Sequence, residues 1–162
     1  MDKRQYFLAG ALLLLLPAFL AAQTTADEIE MLLDSSAITW AQAARFILEA
    51  SDTSVISDPQ EAFNYAAQRN WLPKKASIEQ DARLDGIALL LMNSFDLKGG
   101  IWYSLTKSAH SAYRELVYHG VIMGRVDPTM AVNGDNFLYI VNRVLSLRDE
   151  GMLAAEFAGM GN

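Results

Sequence analysis

The chain has 162 residues, no cysteine and a formal net charge of −6. That length suits one domain whose core holds without staples, and the missing cysteines exclude disulfides, thiolate metal sites, a cysteine nucleophile and a lipidated N-terminal cysteine. The acidic balance argues against a partner held by neutralising phosphates, whether nucleic acid or an anionic lipid surface.

The first residues have the three parts of a secretory signal peptide. Lys3 and Arg4 are a short basic region, Tyr6 to Leu20 is an uncharged apolar run, and Ala21, Ala22 and Gln23 supply small residues for cleavage. The run, roughly 15 residues, is short for a bilayer span. Residues 1–23 are therefore expected to be a signal peptide, residues 24–148 the mature helical domain, and residues 149–162 a weakly ordered tail rich in small residues. The expected address is the periplasm or the cell envelope, without stable membrane insertion after cleavage.

Apolar spacing throughout the mature chain is helical. Ile29, Leu32 and Leu33, behind acidic Asp27, Glu28 and Glu30, predict a short leading helix that ends at Asp34-Ser35-Ser36. Thr39-Trp40-Ala41-Gln42 is a capping box opening a helix with Ala43, Phe46, Ile47 and Ala50 inward. Ser51 to Asp58 reads as a loop, and Asp58-Pro59 starts a short helix with Ala62, Phe63, Ala66 and Ala67 buried, ending near Asn70. Ser77-Ile78-Glu79-Gln80 looks like a second capping box, from which a long central helix is expected to run to about Phe95. Asp96 to Ser108 reads as a loop around Gly99-Gly100 and Trp102-Tyr103, followed by a short helix from His110 to Tyr118 with Gly120 as its left-handed exit. Asn133 caps a last long helix whose Phe137, Ile140, Val141, Val144 and Leu145 face inward.

These elements repeat. At an offset of 50, Ala62 matches Ala112, Phe63 Tyr113, Leu72 Ile122 and Leu90 Ile140; at an offset of 44, Ala44 matches Ala88 and Ile47 matches Leu91. Three copies of a long helix and two of a short one must pack together, because no copy can bury its apolar face alone. The short helix with a Gly or Asn exit (AYRELVYHGVI, AFNYAAQRNWL), the Asp-Pro loop (GRVDPTM) and the capped long helix (ITWAQAARFIL) resemble the S-layer homology (SLH) family. The resemblance implies an all-α, compact bundle of about six helices built from three SLH-like short-helix/long-helix units. It also implies a non-enzymatic role at the envelope, since family members commonly bind secondary polymers of the cell wall. The family's Ile-Thr-Arg-Ala-Glu motif is degenerate here: its arginine slot holds Trp40, Leu84 and Gly134, and its glutamate slot Gln42, Gly86 and Asn136. That loss, with the acidic charge, turns the expectation toward a structural or protein-interaction module, with cell-wall polysaccharide as the alternative partner.

Candidate binding residues are Trp40, Gln42, Arg83, Trp102, Tyr103, Arg125 and Asn133, at or near the long-helix starts and in the aromatic loop. Trp40 either packs across a neighbouring helix start or lines a groove. Trp102 and Tyr103 either form a stacking surface or, as the expectation favours, Ile101 and Trp102 tuck under the bundle. Trp71 matches Val121 and reads as a structural apolar residue. No cluster has metal-ligand spacing, no catalytic or phosphate-binding motif occurs, and no cofactor is expected.

Overall fold

A computed structural model describes residues 27–124 and 126–149. The signal-peptide segment, the tail beyond Asp149 and Arg125 lie outside these residues. Residues 27–33 are helical (α1) and belong to a first compact unit ending at Asp34. A second unit, beginning at Ser35, holds α2 (Trp40–Ala50), α3 (Pro59–Gln68), α4 (Leu84–Ser94), α5 (Ile101–Thr106), α6 (Ala109–Tyr118) and α7 (Gly134–Asp149). The described residues contain seven helices and no strand, and are all-α; within the second unit α2 packs on α3, α4 and α7, and α6 on α4 and α5.

Local chemistry accounts for most helix ends. Thr39 and Gln42 form the capping box: the Thr39 hydroxyl accepts from the Gln42 N–H (3.3 Å) and the Gln42 side chain accepts from the Thr39 N–H (2.9 Å). Asp58 Oδ1 accepts from the N–H of Gln60 and Glu61, and Asn133 Oδ1 from that of Asn136 (3.0 Å). The exits of α2, α3, α4 and α6 are alike. Each is followed by a residue with positive φ, namely Asp52, Asn70, Asp96 and Gly120. The next N–H then reaches back to a carbonyl five residues earlier: Thr53 to Leu48, Trp71 to Ala66, Leu97 to Met92 and Val121 to Leu116. This motif satisfies carbonyls that the last turn leaves free.

The repeat closes on itself through the backbone. Ile38, Ala82 and Val132 each lie two residues before a long helix, and all three are buried. The Ile38 N–H donates to the Val132 carbonyl (2.9 Å), Val132 to Ala82 (3.1 Å), and Ala82 to Ile38 (2.8 Å). A second ring lies one step along: Trp40 N–H to Gln80 (3.1 Å), Leu84 to Met130 (3.1 Å), Gly134 to Ser35 (3.0 Å). The starts of α2, α4 and α7 therefore converge on a pseudo-threefold axis, where buried backbone groups that would be costly unpaired satisfy one another. α4 is the central helix, as its all-round apolar pattern predicts; all of its residues except Asn93 are buried.

Ala67, expected inward on α3, is exposed, and two element boundaries need correction. The long helix begins at Leu84, not near Ser77. Residues 77–80 form a turn (Gln80 N–H to Ser77 carbonyl, 3.1 Å) whose Ile78 and Gln80 carbonyls receive the first N–H groups of α2. Pairing with another repeat outcompetes the local capping pattern. The stretch 96–108 is not all loop, because it contains α5. Its register explains its presence: Asp52 and Asp96 are 44 apart, whereas the N-caps Asp58 and Ser108 are 50 apart. Six extra residues thus enter between equivalent points of two repeats, and α5 is six residues long.

Candidate functional site

The proposed long-helix starts are the hub of the molecule. Trp40 is 2% exposed, and its indole lies against Gly86. Of the two readings of Trp40, packing across a neighbouring helix start is the one observed; the residue offers no ring face to a ligand. The other two arginine-slot residues, Leu84 and Gly134, are buried as well. The Gln42 side chain is committed to the capping box, and the Asn133 carbonyl oxygen to the α7 N-terminus. Arg83 is partly exposed but bonded to Asp85 (2.7 Å between Nη2 and Oδ2), which compensates its charge. These residues do not assemble into one groove. The first N–H groups of all three long helices already meet backbone carbonyls, so none is an open anion site.

The aromatic pair divides. Tyr103 is buried, and burial together with the nearby Glu115 carboxylate pushes its phenol up to about 12. Trp102 instead projects outward, 72% exposed, flanked by Ile101 at 74% and Leu105 at 77%. The expectation that Ile101 and Trp102 tuck under the bundle is reversed. Tyr103 is the residue that tucks, and its ring fills the space over Gly99, where a β-carbon would lie 2.7 Å from Tyr103 Cδ1.

A groove lies elsewhere, between the α3 exit with its following strap and the α5–α6 junction. Its volume is about 890 Å³, and its walls include Arg69, Trp71, Lys74, Asn93, Lys107 and Ser108. Among the described residues no carboxylate lines it. A second hollow of about 480 Å³ shares Trp71, Asn93 and Lys107 with it and adds Lys98 and one carboxylate, Asp96. In a chain of net charge −6, this is a concentrated cationic concavity.

Its parts are held in place. Asn70 turns the chain with φ +57°, and Trp71 follows as the exit residue whose N–H bonds Ala66. The Arg69 guanidinium stacks 3.5 Å over the Tyr65 ring and lies 5.8 Å from the Trp71 ring, while Tyr65 and Trp71 meet edge to face at 6.1 Å. Asn93 donates from Nδ2 to the Leu89 carbonyl (2.7 Å), which orients its oxygen as an acceptor. On the opposite wall the Ser111 hydroxyl bonds those of Thr106 (2.8 Å) and Ser108 (2.9 Å). Lys107 sits between them in a left-handed turn, φ +42°. Cation, ring face, amide and hydroxyl together are the donor set that a carboxylated or phosphorylated sugar requires.

None of the residues lining the 890 Å³ groove was among the candidates read from sequence; of those candidates, Tyr103 lines the smaller hollow. Gln68-Arg69-Asn70-Trp71-Leu72-Pro73-Lys74-Lys75 does carry a signal, three cations and a tryptophan in eight residues of an acidic chain. Matching Trp71 to Val121 made it look structural. The other wall comes from residues 106–109, which only packing of α6 on α4 brings near.

A smaller apolar pocket of about 130 Å³ lies between Leu84, Ile122, Val132 and Ile140, rimmed by exposed Met123, Met130 and Tyr139. Among the described residues no three His, Asp or Glu side chains come together as metal ligands, and no helix is long and apolar enough to cross a membrane. Comparison with family models, with curated proteins and with solved structures returns no match.

Proposed function

We propose that this chain is an exported, non-enzymatic binding module of the cell envelope whose basic groove holds an acidic glycan. The observation that carries the proposal is the lining of that groove: Arg69, Lys74 and Lys107 beside Trp71, with no carboxylate from the described residues. An anionic sugar ring would place its charge between Lys74 and Lys107 and its apolar face toward Trp71, with Asn93 and Ser108 for its hydroxyls. The resemblance of the repeat to SLH units supports the same ligand class, because that family binds secondary wall polymers. Loss of the family's motif arginines is offset by cations on different elements. The groove's charged side chains are cations, suited to holding an anion and not to passing a proton between themselves at neutral pH.

Co-sedimentation of the protein with purified acidic and neutral wall polysaccharides tests this reading. Binding should be confined to the acidic polymer and weaken with salt. Lys74→Gln/Lys107→Gln should lower affinity at least about tenfold, each lost charge-assisted bond contributing about 1.5–3 kcal/mol before solvent screening. Binding unchanged in that double variant would sink the proposal.

The apolar pocket favours a second reading, a protein-interaction module that seats an apolar side chain of an envelope protein between Met123, Met130 and Tyr139. Such a partner would be lost on Met130→Asp and indifferent to Lys74→Gln/Lys107→Gln.

A further inference from the structure

α5 is an insertion relative to the repeat, tied to the bundle through Tyr103. Between the equivalent exits Asp52 and Asp96 and the equivalent N-caps Asp58 and Ser108, one repeat crosses directly and the other adds six residues. The backbone rings at the long-helix starts draw nothing from α5. Yet α5 carries the densest exposed apolar surface among the described residues: Ile101, Trp102 and Leu105, each more than 70% exposed. Their spacing puts Ile101 and Trp102 one turn from Leu105, on one helix face.

That face is held outward. Tyr103, on the other side, is buried; Gly99 packs on its ring; and the Lys107 N–H closes the helix on the Tyr103 carbonyl (2.7 Å). Thr106 bonds back to the Trp102 carbonyl (2.8 Å) and across to Ser111 on α6 (2.8 Å). With Tyr103 anchored, Ile101, Trp102 and Leu105 cannot turn inward without unseating a core residue.

Charge around α5 runs against that of the chain. Residues 97–114 contain Lys98, Lys107 and Arg114 and no Asp or Glu, whereas the whole chain has 19 acidic and 13 basic residues. Lys98 and Lys107 are both exposed and bracket the helix at its two ends. A tryptophan with two aliphatic neighbours, framed by lysines, is the composition of an element that rests in the headgroup layer of a bilayer.

We propose that α5 is a peripheral membrane-docking element: Ile101, Trp102 and Leu105 enter the interface of an anionic bilayer while Lys98 and Lys107 meet its headgroups. A lipid surface fits better than a folded protein. Three side chains on six residues fall well short of the roughly 800 Å² per partner that a stable protein interface needs, whereas interfacial partition requires no complementary shape. The contact is shallow and reversible, and it is local, so the chain's net acidity does not forbid it. It shares Lys107 with the groove, but its apolar residues Ile101, Trp102 and Leu105 line neither the groove nor the hollow beside it, so their substitution tests α5 apart from the groove.

Quenching of tryptophan emission by lipids brominated on the acyl chain tests the proposal in the full chain. Trp40 is buried and Trp71 sits in the groove, so the part of the quenching removed by Trp102→Phe reports α5 alone. With phosphatidylglycerol vesicles the Trp102 component should shift to the blue and be quenched. With phosphatidylcholine vesicles both effects should be at least about tenfold weaker per lipid, given the roughly 1 kcal/mol that each lysine near an anionic surface contributes. Ile101→Ser/Leu105→Ser keeps the reporter and should abolish quenching while circular dichroism stays unchanged. An unshifted, unquenched Trp102 in anionic vesicles overturns the proposal, even if apolar residues 6–20 hold the chain on the vesicle. So does equal quenching in neutral vesicles, or quenching that survives the double serine variant.

Discussion

Gly86 and Trp40 show one residue dictating another across the molecule. A β-carbon at Gly86 would fall inside the Trp40 indole and 2.7 Å from Pro73 Cγ. Gly86→Ala should therefore destabilise the fold by about 1–3 kcal/mol in urea titration, and Trp40→Ala by about 3–5 kcal/mol. In the Trp40→Ala background the cost of Gly86→Ala should fall, since the added methyl then meets only Pro73, which can move into the space the indole leaves; additive costs would refute the contact with Trp40. Tyr103 supplies a pH signature. Its folded pKa is raised to about 12 by burial and then by Glu115, so its contribution is complete below its unfolded value of 10.0 and is lost as pH rises through the folded value. Unfolding midpoints should fall between about pH 10 and pH 12, and Tyr103→Phe should flatten that fall while leaving stability at pH 7 nearly unchanged.

Helix ends separate what is local from what is not. The capping box at Thr39, the Asp58 cap and the left-handed exits at Asn70 and Gly120 involve groups a few residues apart, and all are legible in the chain. Asn70 and Gly120 hold equivalent positions, with φ of +57° and +67°. Gly120→Ala should cost about 1 kcal/mol, because a β-carbon in the left-handed region crowds the next carbonyl, whereas Asn70→Gly should change stability by a few tenths at most. Equal effects in thermal melts would mean that the two exits are not equivalent. The helix expected from Ser77 failed because Ile78 and Gln80 bond the start of α2, a partner forty residues away that no local pattern names. α5 was missed for a related reason. Six residues are too few for a periodicity signal or for a helix stable alone, and a buried Tyr103 and a left-handed Lys107 hold it instead.

At the scale of the molecule, the two backbone rings tie three repeats to one axis. Each of Ile38, Ala82 and Val132 both gives and receives a bond, so removing any repeat strands a buried donor and a buried acceptor in the other two. Unlike an open array that unravels from its ends, the unit from Ser35 onward should unfold in one step. Urea transitions followed by far-ultraviolet circular dichroism and by Trp40 emission should coincide; separated transitions would mean that the repeats are energetically independent. Charge also has meaning at this scale. A net charge of −6 pointed away from anionic partners, yet the cations Arg69, Lys74, Lys98 and Lys107 gather around one concavity and the ends of one inserted helix.

The sequence by itself determined the all-α class, the caps, the exits and the repeat with its change of offset from 44 to 50. Those features rest on hydrogen bonds and apolar spacing within a few residues, where chain chemistry acts before any tertiary contact. Tertiary structure alone decided that Trp40 is core and Trp102 is surface, that α4 starts at Leu84, and that Arg69 and Lys74 face Lys107. Burial depends on which elements meet, and a groove built from residues 63–76 and 106–109 exists only once α6 lies on α4.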